Sequence, residues 1–566
     1  MLSFIRIDRK PYRWFINQAH RKLLEANLIG NEPLIYEAAS KNIIKDNSAR
    51  TIFPMDLPGM NLIVKRYKIK NLIEKFKATF ISKAHQEMKS AGHLIQQHIN
   101  TAYPFGVMET RKWGFVVEVF VFLKKIDNVV TLKEFLVQPV SVESKDNLLQ
   151  ALGELIRKVH QARFFHKDLH IGNIMINPES LRSEMPDLYL IDLHRSSVQP
   201  HFAQSYGVYN LAQMVYSLSK VLPLTDAYRF VKNYRELDFR RNIFRDFIRM
   251  VFVQVEELRH KHWRSRNKRC LKNSSGYARM KIRNKTRWES VFIDRRFNRE
   301  DIFGLIDRHD KMAAQEPDKL LKRTDRRSIS VLRNGTADVI IKEYRYSVWA
   351  KILSFLGIHP AKKEWFSASG LNVRDVETVE PVALVEKRDL FFTWVNKSYV
   401  ITKKIDAQPT NQFLMRSFSR PIKDKDALGN KIRFIRQFAL AVKRLHQKGI
   451  FHHDLKANNV IIKDEREKKR DGSNTSLISH LSSFLFYFID LDRVSFNRET
   501  TLEERVINLA QLNAAVTDVV SKTDRLRFYR FYSYGEECLP WKDRKDIVRQ
   551  VMQATVKRRH FWPLPG

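Results

Sequence analysis

A long internal duplication constrains this chain of 566 residues more than any other feature of its sequence. The run Ile63–Tyr67 is echoed by the run Ile340–Tyr344, and a glutamate follows the lysine of each run by 22 residues, as Glu87 and Glu364. Self-similarity at such a long period is typical of a repeated domain and not of a short solenoid repeat. The sequence therefore predicts two copies of one domain.

The second half of each copy repeats a further set of polar landmarks. An aspartate comes eight residues after a histidine, an asparagine follows that aspartate by five residues, and another aspartate lies beyond a short apolar run. The tetrapeptide Asn-Leu-Ala-Gln begins 18 residues after this last aspartate in both copies. The recurring positions are Asp168, Asn173 and Asp192 in the first copy and Asp454, Asn459 and Asp490 in the second.

Hydrophobic patterns around these landmarks predict a mixture of strands and helices. Residues 61–67 and 337–344 are short, apolar and β-branched, which is typical of strands, and residues 82–98 have the spacing of an exposed helix that carries Glu87. An amphipathic helix precedes each histidine and aspartate motif, so the motif itself should lie in a loop. We therefore expect an α+β fold in which a strand lysine faces a helix glutamate.

The recurring side chains are of the types that phosphoryl transfer needs. Two aspartates and an amide oxygen form an oxygen-rich site suited to Mg²⁺. A lysine braced by a glutamate supplies fixed positive charge for the phosphates of ATP, and the first aspartate is left to accept a hydroxyl proton. The predicted metal ligands are Asn173, Asp192, Asn459 and Asp490, the predicted nucleotide-binding residues are Lys65, Glu87, Lys342 and Glu364, and the predicted catalytic bases are Asp168 and Asp454.

The charge balance indicates the kind of partner. The 101 Lys and Arg outnumber the 62 Asp and Glu, which gives a net charge of +39. Such a chain binds a polyanion, which could be nucleic acid, an anionic membrane surface or an acidic substrate. Only Cys270 and Cys538 are present, too few for a disulfide framework, and no signal-peptide core develops near the N-terminus. We therefore expect a protein of a reducing compartment.

The domain boundaries follow from the repeat. We place the first domain at residues 1–254, a basic connecting segment at 255–320 and the second domain at 321–566. The stretch 259–296 holds 14 Lys or Arg against two acidic residues. Such a stretch is either a solvated tether or an anion-binding surface.

Two tryptophans favour the second interpretation of the basic stretch 259–296. Trp263 and Trp288 alternate with its charges, as residues at a membrane interface often do. We therefore expect this stretch to contact an anionic membrane surface.

Four runs together resemble the protein-kinase-like superfamily. They are His166–Asn173 and His452–Asn459, which fit the pattern His-Arg-Asp-Leu-x-x-x-x-Asn, and Ile191–Arg195 and Ile489–Arg493, which stand where Asp-Phe-Gly is found. The resemblance implies two tandem bilobal kinase-like domains, each with a small β-rich N-lobe and a helical C-lobe.

The departures from the protein-kinase pattern narrow the resemblance. No Ala-Pro-Glu follows in either copy, and the arginine of His-Arg-Asp is Lys167 or His453. The Gly-rich loop is reduced to Gly59 before one lysine and Gly335 before the other. The missing arginine and Ala-Pro-Glu disfavour a protein kinase regulated through a phosphorylated activation loop, whereas the glycine-poor loop bears only on how the phosphates are covered.

The two copies resemble different lipopolysaccharide core kinases. Asp-Leu-His-Arg from Asp192 is similar to the kinases of inner-core heptose, and Asp-Leu-Asp-Arg from Asp490 is similar to the kinases of Kdo, the acidic sugar that joins the core to lipid A. In this superfamily a lysine at the position of Lys456 steadies the transferring phosphate. The first copy has His170 there, either as a variation for its substrate or as a packed loop histidine.

Three functions remain open on the sequence. The resemblance implies an ATP- and Mg²⁺-dependent kinase of lipopolysaccharide core sugars with two active sites, acting on an anionic glycolipid at the inner face of the cytoplasmic membrane of a Gram-negative bacterium. The alternatives are a serine/threonine-type protein kinase and a basic scaffold of inactive kinase domains. The complete catalytic sets disfavour the scaffold and make nucleic acid an unfavoured partner.

Overall fold

The computed structural model describes residues 3–46, 49–69, 71–80, 82–182, 186–235, 241–283, 287–335, 337–389, 394–418, 425–465, 484–516, 519–534 and 541–559. The chain divides into two compact units, Met1–Arg259 and His260–Gly566.

The first unit begins with an antiparallel sheet in which seven strands follow the order β1-β2-β6-β7-β5-β4-β3. Its central strands are rich in Val, Ile and Phe and are buried on both faces, because helices cover the sheet. The elements are β1 (Phe4–Arg9), β2 (Tyr12–Asn17), α1 (Arg21–Asn27), α2 (Pro33–Lys41), β3 (Lys45–Asp46), β4 (Arg50–Leu57), β5 (Met60–Lys68), α3 (Leu72–Phe80), α4 (Lys83–Gln96), β6 (Pro104–Lys112) and β7 (Phe115–Lys124).

The rest of the first unit is mainly helical. The amphipathic helix α6 buries Leu148, Leu152, Ile156 and Val159 in the core, as its apolar spacing predicts. Short strand pairs β10 with β11 and β9 with β12 frame the loops of the polar motifs. The elements are β8 (Val130–Thr131), α5 (Leu132–Phe135), α6 (Val142–Gln161), β9 (Phe164–His166), β10 (Ile174–Ile176), β11 (Leu188–Leu190), β12 (Ser196–Val198), α7 (Gln204–Leu218), α8 (Leu224–Tyr234) and α9 (Arg241–Asn267). The last residues of α9, from His260 onward, belong to the second unit.

The second unit repeats the sheet with the order β13-β14-β18-β19-β17-β16-β15. Its strand order therefore matches that of the first sheet position by position. The elements are β13 (Tyr277–Arg283), β14 (Arg287–Asp294), α10 (Arg299–Gln315), β15 (Lys322–Arg323), β16 (Arg327–Asn334), β17 (Ala337–Arg345), α11 (Val348–Phe355), α12 (Pro360–Val373), β18 (Pro381–Asp389) and β19 (Val395–Lys403).

The helical part of the second unit also repeats that of the first. The amphipathic helix α14 packs Phe434, Phe438, Val442 and Leu445 into the core. The elements are β20 (Gln408–Pro409), α13 (Thr410–Ser417), α14 (Lys425–Gln447), β21 (Ile450–His452), β22 (Val460–Asp464), β23 (Phe484–Phe488), β24 (Val494–Phe496), α15 (Leu502–Ala515), α16 (Lys522–Ser533) and α17 (Trp541–Arg559). Two bilobal kinase-like domains thus follow one another along the chain, as expected.

The basic stretch 259–296 differs from the expected connection, because most of it is folded into the second unit. Strands β13 and β14 occupy the sheet positions of β1 and β2. Along β13 the apolar Ala278, Met280 and Ile282 pack against the core cluster while the intervening basic side chains are exposed. The high charge of the segment hides this alternation of period two, which is typical of a strand.

Trp263, which we expected at a membrane interface, is instead buried at 5% exposure. Its ring lies 5.0 Å from the guanidinium carbon of Arg374. The tryptophan therefore belongs to the interior of the second unit, and the prediction for its side chain is wrong.

The described helices include none with both the length and the apolar composition that spanning a bilayer requires.

Candidate active sites

The strand lysine of the first unit pairs with the helix glutamate, as the spacing of 22 residues predicts. Lys65 lies in the middle of β5, paired to β4 on one side and β7 on the other, and its Nζ is 2.5 Å from Oε1 of Glu87 on α4. The Tyr67 hydroxyl donates to the other oxygen of Glu87 at 2.5 Å. Both oxygens of the buried glutamate are thus satisfied, and the lysine is held at a fixed position.

The loop of the first catalytic motif is fixed by hydrogen bonds to its backbone. The Asn173 side chain donates its Nδ2 proton to the carbonyl of Asp168 at 2.8 Å, and the Asp168 amide donates to Nδ1 of His166 at 3.2 Å. Burial lowers the pKa of His166 to about 4, so this histidine is neutral near pH 7 and accepts that bond. The Asp168 side chain lies exposed, where a substrate hydroxyl can reach it.

The second aspartate of the first unit lies in a cluster of positive charge. Asp192 follows β11 with a left-handed backbone (φ 63°), and its Oδ1 is 3.9 Å from Lys65 Nζ and 2.7 Å from Nδ1 of His194. Arg50 donates to both of its oxygens, at 2.6 and 2.8 Å. Burial alone would raise the pKa of Asp192, but the hydrogen bonds from His194 and Arg50 and the charge of Lys65 hold it well below its usual range. The carboxylate is therefore ionised, as a metal ligand must be.

The second unit builds the same pairing of lysine and glutamate. Lys342 Nζ on β17 is 2.6 Å from Oε1 of Glu364 on α12, and the Tyr344 hydroxyl donates to the other oxygen. Lys342 is also 3.8 Å from Oδ1 of Asp490, whose backbone is left-handed at φ 60°. Lysine, glutamate and aspartate thus converge in both units.

The catalytic loop of the second unit carries an extra cation beside its aspartate. Asn459 donates to the carbonyl of Asp454 at 2.8 Å, and Nζ of Lys456 lies 2.9 Å from Oδ1 of Asp454. Lys456 is therefore placed beside the predicted base. In the first unit the ring of His170 instead accepts from the Gly172 amide at 3.0 Å.

The donor set fits a hard divalent cation in both units. Each asparagine donates its amide protons inward to the loop, which leaves its oxygen for a ligand, and each left-handed aspartate brings a carboxylate to the end of the same hairpin. The main-chain carbonyl of Asn173 accepts a hydrogen bond from the main-chain amide of Ile191 at 2.9 Å, and this bond joins the loops of the two predicted metal ligands. Oxygen ligands of this kind are those that Mg²⁺ prefers.

Two arginines at these sites were missed by the sequence analysis. Arg50 on β4 donates hydrogen bonds to Asp192. Arg327 on β16 contacts both Asp490, at 3.4 Å, and Asp492. Each arginine lies 15 residues before the lysine of its own copy, which is the signal that the repeat offered. The two arginines differ in their contacts. Arg50 binds one aspartate, Asp192, with both terminal nitrogens, whereas Arg327 contacts two aspartates.

The repeated Asn-Leu-Ala-Gln tetrapeptide, to which the sequence analysis assigned no role, supports the catalytic loops. Asn210 donates to the His166 carbonyl at 2.6 Å and Gln213 donates to the Lys167 carbonyl at 2.8 Å. In the second unit the same bonds run from Asn508 to the His452 carbonyl and from Gln511 to the His453 carbonyl, both at 2.6 Å.

The glycines expected in the phosphate loop lie in tight hairpin turns. Gly59, between β4 and β5, and Gly335, after β16, have φ of 77° and 59°. A side chain is strained at such positive φ, which accounts for a glycine at these positions.

Comparison with known proteins gives three findings. The family model described as "Lipopolysaccharide kinase (Kdo/WaaP) family" matches residues 65–234 and 322–532. A 3-deoxy-D-manno-octulosonic acid kinase of Vibrio cholerae serotype O1 is 27% identical over 140 residues, or 25% of this chain and 54% of the relative, so the chain spans about half the length of this curated relative. A solved structure of WaaP in complex with acyl carrier protein is similar to 44% of this chain, over 99% of its own chain, at 20% identity and a TM-score of 0.34.

Proposed function

Because this chain belongs to the lipopolysaccharide kinase (Kdo/WaaP) family, we propose that it transfers the γ-phosphate of ATP to sugar hydroxyls of the lipopolysaccharide inner core at two active sites. The observation that carries the proposal is the duplicated charge cluster, in which a lysine lies within 4 Å of both a glutamate and an aspartate. A chain that kept only one working site would have little need of both clusters.

The residues of each site have distinct tasks in this proposal. Lys65 and Lys342, held by their glutamates, bind the nucleotide phosphates. Asn173 with Asp192, and Asn459 with Asp490, would hold Mg²⁺. When bound, magnesium neutralises the charge that develops on the transferring phosphoryl group.

Asp168 and Asp454 would accept the proton of the acceptor hydroxyl. The side-chain amide of the following asparagine donates a hydrogen bond to the main-chain carbonyl of each aspartate, which fixes the backbone that carries the carboxylate. Lys456, at 2.9 Å from Asp454, would contact the phosphoryl group as it approaches the acceptor. His170, anchored to its own loop, would leave the first site without that cation.

We further propose that the acceptors differ between the units. The first unit has His194 beside its metal aspartate and the second has Asp492, and this difference changes the charge that faces a sugar acceptor. We assign heptose to the first unit and Kdo to the second. The similarity to a 3-deoxy-D-manno-octulosonic acid kinase supports an acidic sugar as one acceptor.

The acceptor glycolipid would place the enzyme on the inner face of the cytoplasmic membrane. Exposed Arg279, Lys281 and Arg283 form a basic row along β13, at the edge of the second sheet. Each basic residue near an anionic leaflet contributes about 1 kcal/mol before screening. This row supports the proposed contact of the stretch 259–296 with an anionic surface.

A single assay tests the proposed activity. The purified chain is incubated with radiolabelled ATP and Mg²⁺ and with one of three acceptors: extracted lipopolysaccharide core lacking phosphate, a generic protein or RNA. We expect label only in the core glycolipid, and none with the double variant Asp168→Asn/Asp454→Asn. Label in the protein acceptor would favour a protein kinase, and no label in any acceptor would favour a scaffold.

A further inference from the structure

A cavity of about 900 Å³ in the second unit adjoins the second candidate active site, and its lining includes none of Lys342, Glu364, Asp454, Asn459 and Asp490. It is bounded by the C-terminal end of α9, by the helix α12 that carries Glu364, and by β24. The catalytic loop reaches it only through His453.

The lining of this cavity is strongly cationic. Asp492 is the one carboxylate among its lining residues, and it is already engaged by Arg327. The lining also includes six Lys or Arg residues, so its basic residues outnumber the single acidic one. The six are Arg264, Lys268, Lys363, Arg374, Arg493 and Arg498.

Arg374 is the most unusual of these cations because it is buried, at 3% exposure. Its guanidinium lies between two rings, 5.0 Å from that of Trp263 and 4.2 Å from that of Phe496, and Nη1 donates to the Gly370 carbonyl at 3.1 Å. Its Nε is buried and has no hydrogen-bond partner among the described residues. The Oδ1 atom of Asn267, which also lines the cavity, is buried and unpartnered in the same part of the chain.

The charge of Arg374 is poorly compensated. Burial, together with the positive charge of Arg264, lowers the pKa of Arg374 to about 10. No carboxylate within the described ranges forms an ion pair with it. A buried cation without a partner is costly, so the surroundings of Arg374 favour an anion that would complete them.

We propose that this cavity is a further anion site, which adjoins the second kinase centre but is distinct from its lysine, glutamate and metal ligands, and that it binds a phosphate group. The unpaired Nε and the surrounding arginines would donate to the phosphate oxygens, since arginine matches the planar geometry of an oxyanion. The unpartnered Asn267 oxygen would accept from a hydroxyl of the same ligand. The ligand class is thus a phosphate ester or inorganic phosphate.

The first unit lacks the key cation at the equivalent position. Arg374 follows Glu364 by ten residues, and the residue ten after Glu87 is the neutral Gln97. Lys363 likewise corresponds to Gln86. The repeat therefore supplies a natural substitution, Arg374→Gln, for testing the site.

The test measures binding of inorganic phosphate to the full chain by calorimetry. The two kinase centres are first saturated with a nonhydrolysable ATP analogue and Mg²⁺, and ionic strength is held constant with chloride. We expect the intact chain to bind phosphate, with affinity about tenfold or more lower in Arg374→Gln because a charge-assisted hydrogen bond is lost. The exposed variant Arg264→Gln should weaken binding in the same direction, and it keeps the test open if the buried variant fails to fold.

Arg269→Gln is the matched control, because Arg269 is an exposed arginine of the same segment that does not line the cavity. It should bind phosphate as the intact chain does. Unchanged affinity in both Arg374→Gln and Arg264→Gln, or an equal loss in Arg269→Gln, would overturn the proposal. If Arg374 served only to pack against Trp263 and Phe496, its loss would lower the melting temperature without changing the affinity of the folded fraction.

A competition arm identifies the source of the phosphate. Phosphorylated core glycolipid is added before and after phosphatase treatment. Displacement by the phosphorylated form alone assigns the site to the glycolipid, and no displacement assigns it to free phosphate; both results retain the site. Because the assay needs no turnover, its outcome is independent of the proposed kinase activity.

Discussion

At the scale of single residues, the two predicted bases should serve different acceptors. Asp168→Asn and Asp454→Asn each remove a proton acceptor, and loss of one such group commonly lowers the rate by about 10² to 10⁴. We expect each variant to lose a different phosphate from the lipopolysaccharide of complemented cells, measured by mass spectrometry. Loss of the same phosphate from both variants would contradict the division between heptose and Kdo.

Arg50 should compete with magnesium for Asp192, because it holds both oxygens of that carboxylate at 2.6 and 2.8 Å. Removing it in Arg50→Gln should lower the Mg²⁺ concentration needed for nucleotide binding in the first unit by about tenfold, since bonds to a charged group are worth about 1.5–3 kcal/mol. Titration of a fluorescent ATP analogue against Mg²⁺ measures this.

Arg327→Gln is the matched variant in the second unit. Its effect should be smaller, because Arg327 divides its contacts between Asp490 and Asp492.

A higher Mg²⁺ requirement in Arg50→Gln would contradict the prediction for the first unit and show instead that Arg50 helps to bind the phosphates.

At the scale of elements, the start of α12 is tied to the second sheet by one buried carboxylate. Glu386 on β18 is 2.8 Å from Nε2 of His359, the N-cap of α12, and 2.7 Å from Arg388. Burial alone would raise the pKa of Glu386, but His359 and Arg388 lower it to about 2 from a usual value of 4.5. These contacts of Glu386 hold the N-terminus of α12, the helix that carries Glu364, against the second sheet.

The lowered pKa sets the pH range in which Glu386 stabilises the second unit. Its contribution is complete above pH 4.5 and is lost as the pH falls toward 2, and the shift corresponds to about 3 kcal/mol. The difference in free energy of unfolding between the intact chain and Glu386→Gln should therefore shrink between pH 5 and pH 3 in urea denaturation. Asp338→Asn, at an exposed position of the same sheet, should follow the intact chain. A difference that is constant with pH would contradict the assignment.

At the scale of the whole molecule, the duplication predicts two nucleotide sites per chain. Each unit has its own pair of lysine and glutamate, at 2.5 and 2.6 Å. Calorimetric titration with a nonhydrolysable ATP analogue and Mg²⁺ should give a stoichiometry of two, falling to one in either Lys65→Met or Lys342→Met. A stoichiometry of one in the intact chain would mean that one unit is only structural.

The basic row on β13 should hold the molecule on anionic vesicles. Replacing Arg279, Lys281 and Arg283 by glutamine removes about 3 kcal/mol of attraction before screening, about a hundredfold in affinity at low salt. Sedimentation with anionic vesicles at two salt concentrations measures the loss, and neutral vesicles are the control. If binding to anionic vesicles is unchanged, the row only protects an exposed sheet edge from pairing with another strand.

The sequence by itself determined the features that depend on short stretches of chain and on their repetition. The spacings repeated in both copies predicted that Lys65 pairs with Glu87 and that Asp168 and Asn173 lie in one loop. They could do so because a strand, a helix and a tight loop each bring residues at fixed offsets to defined positions. The same repetition identified two kinase-like domains.

Only the tertiary structure decided the contacts that join distant parts of one unit. Arg50 and Asp192 are 142 residues apart, and nothing in the local pattern of either predicts their bond. High charge concealed β13, because its period-two burial becomes visible only when the core covers one face of the strand. Trp263 and Arg374 likewise meet only through packing within the second unit, and burial makes the tryptophan a partner of a buried arginine where the sequence predicted a membrane contact.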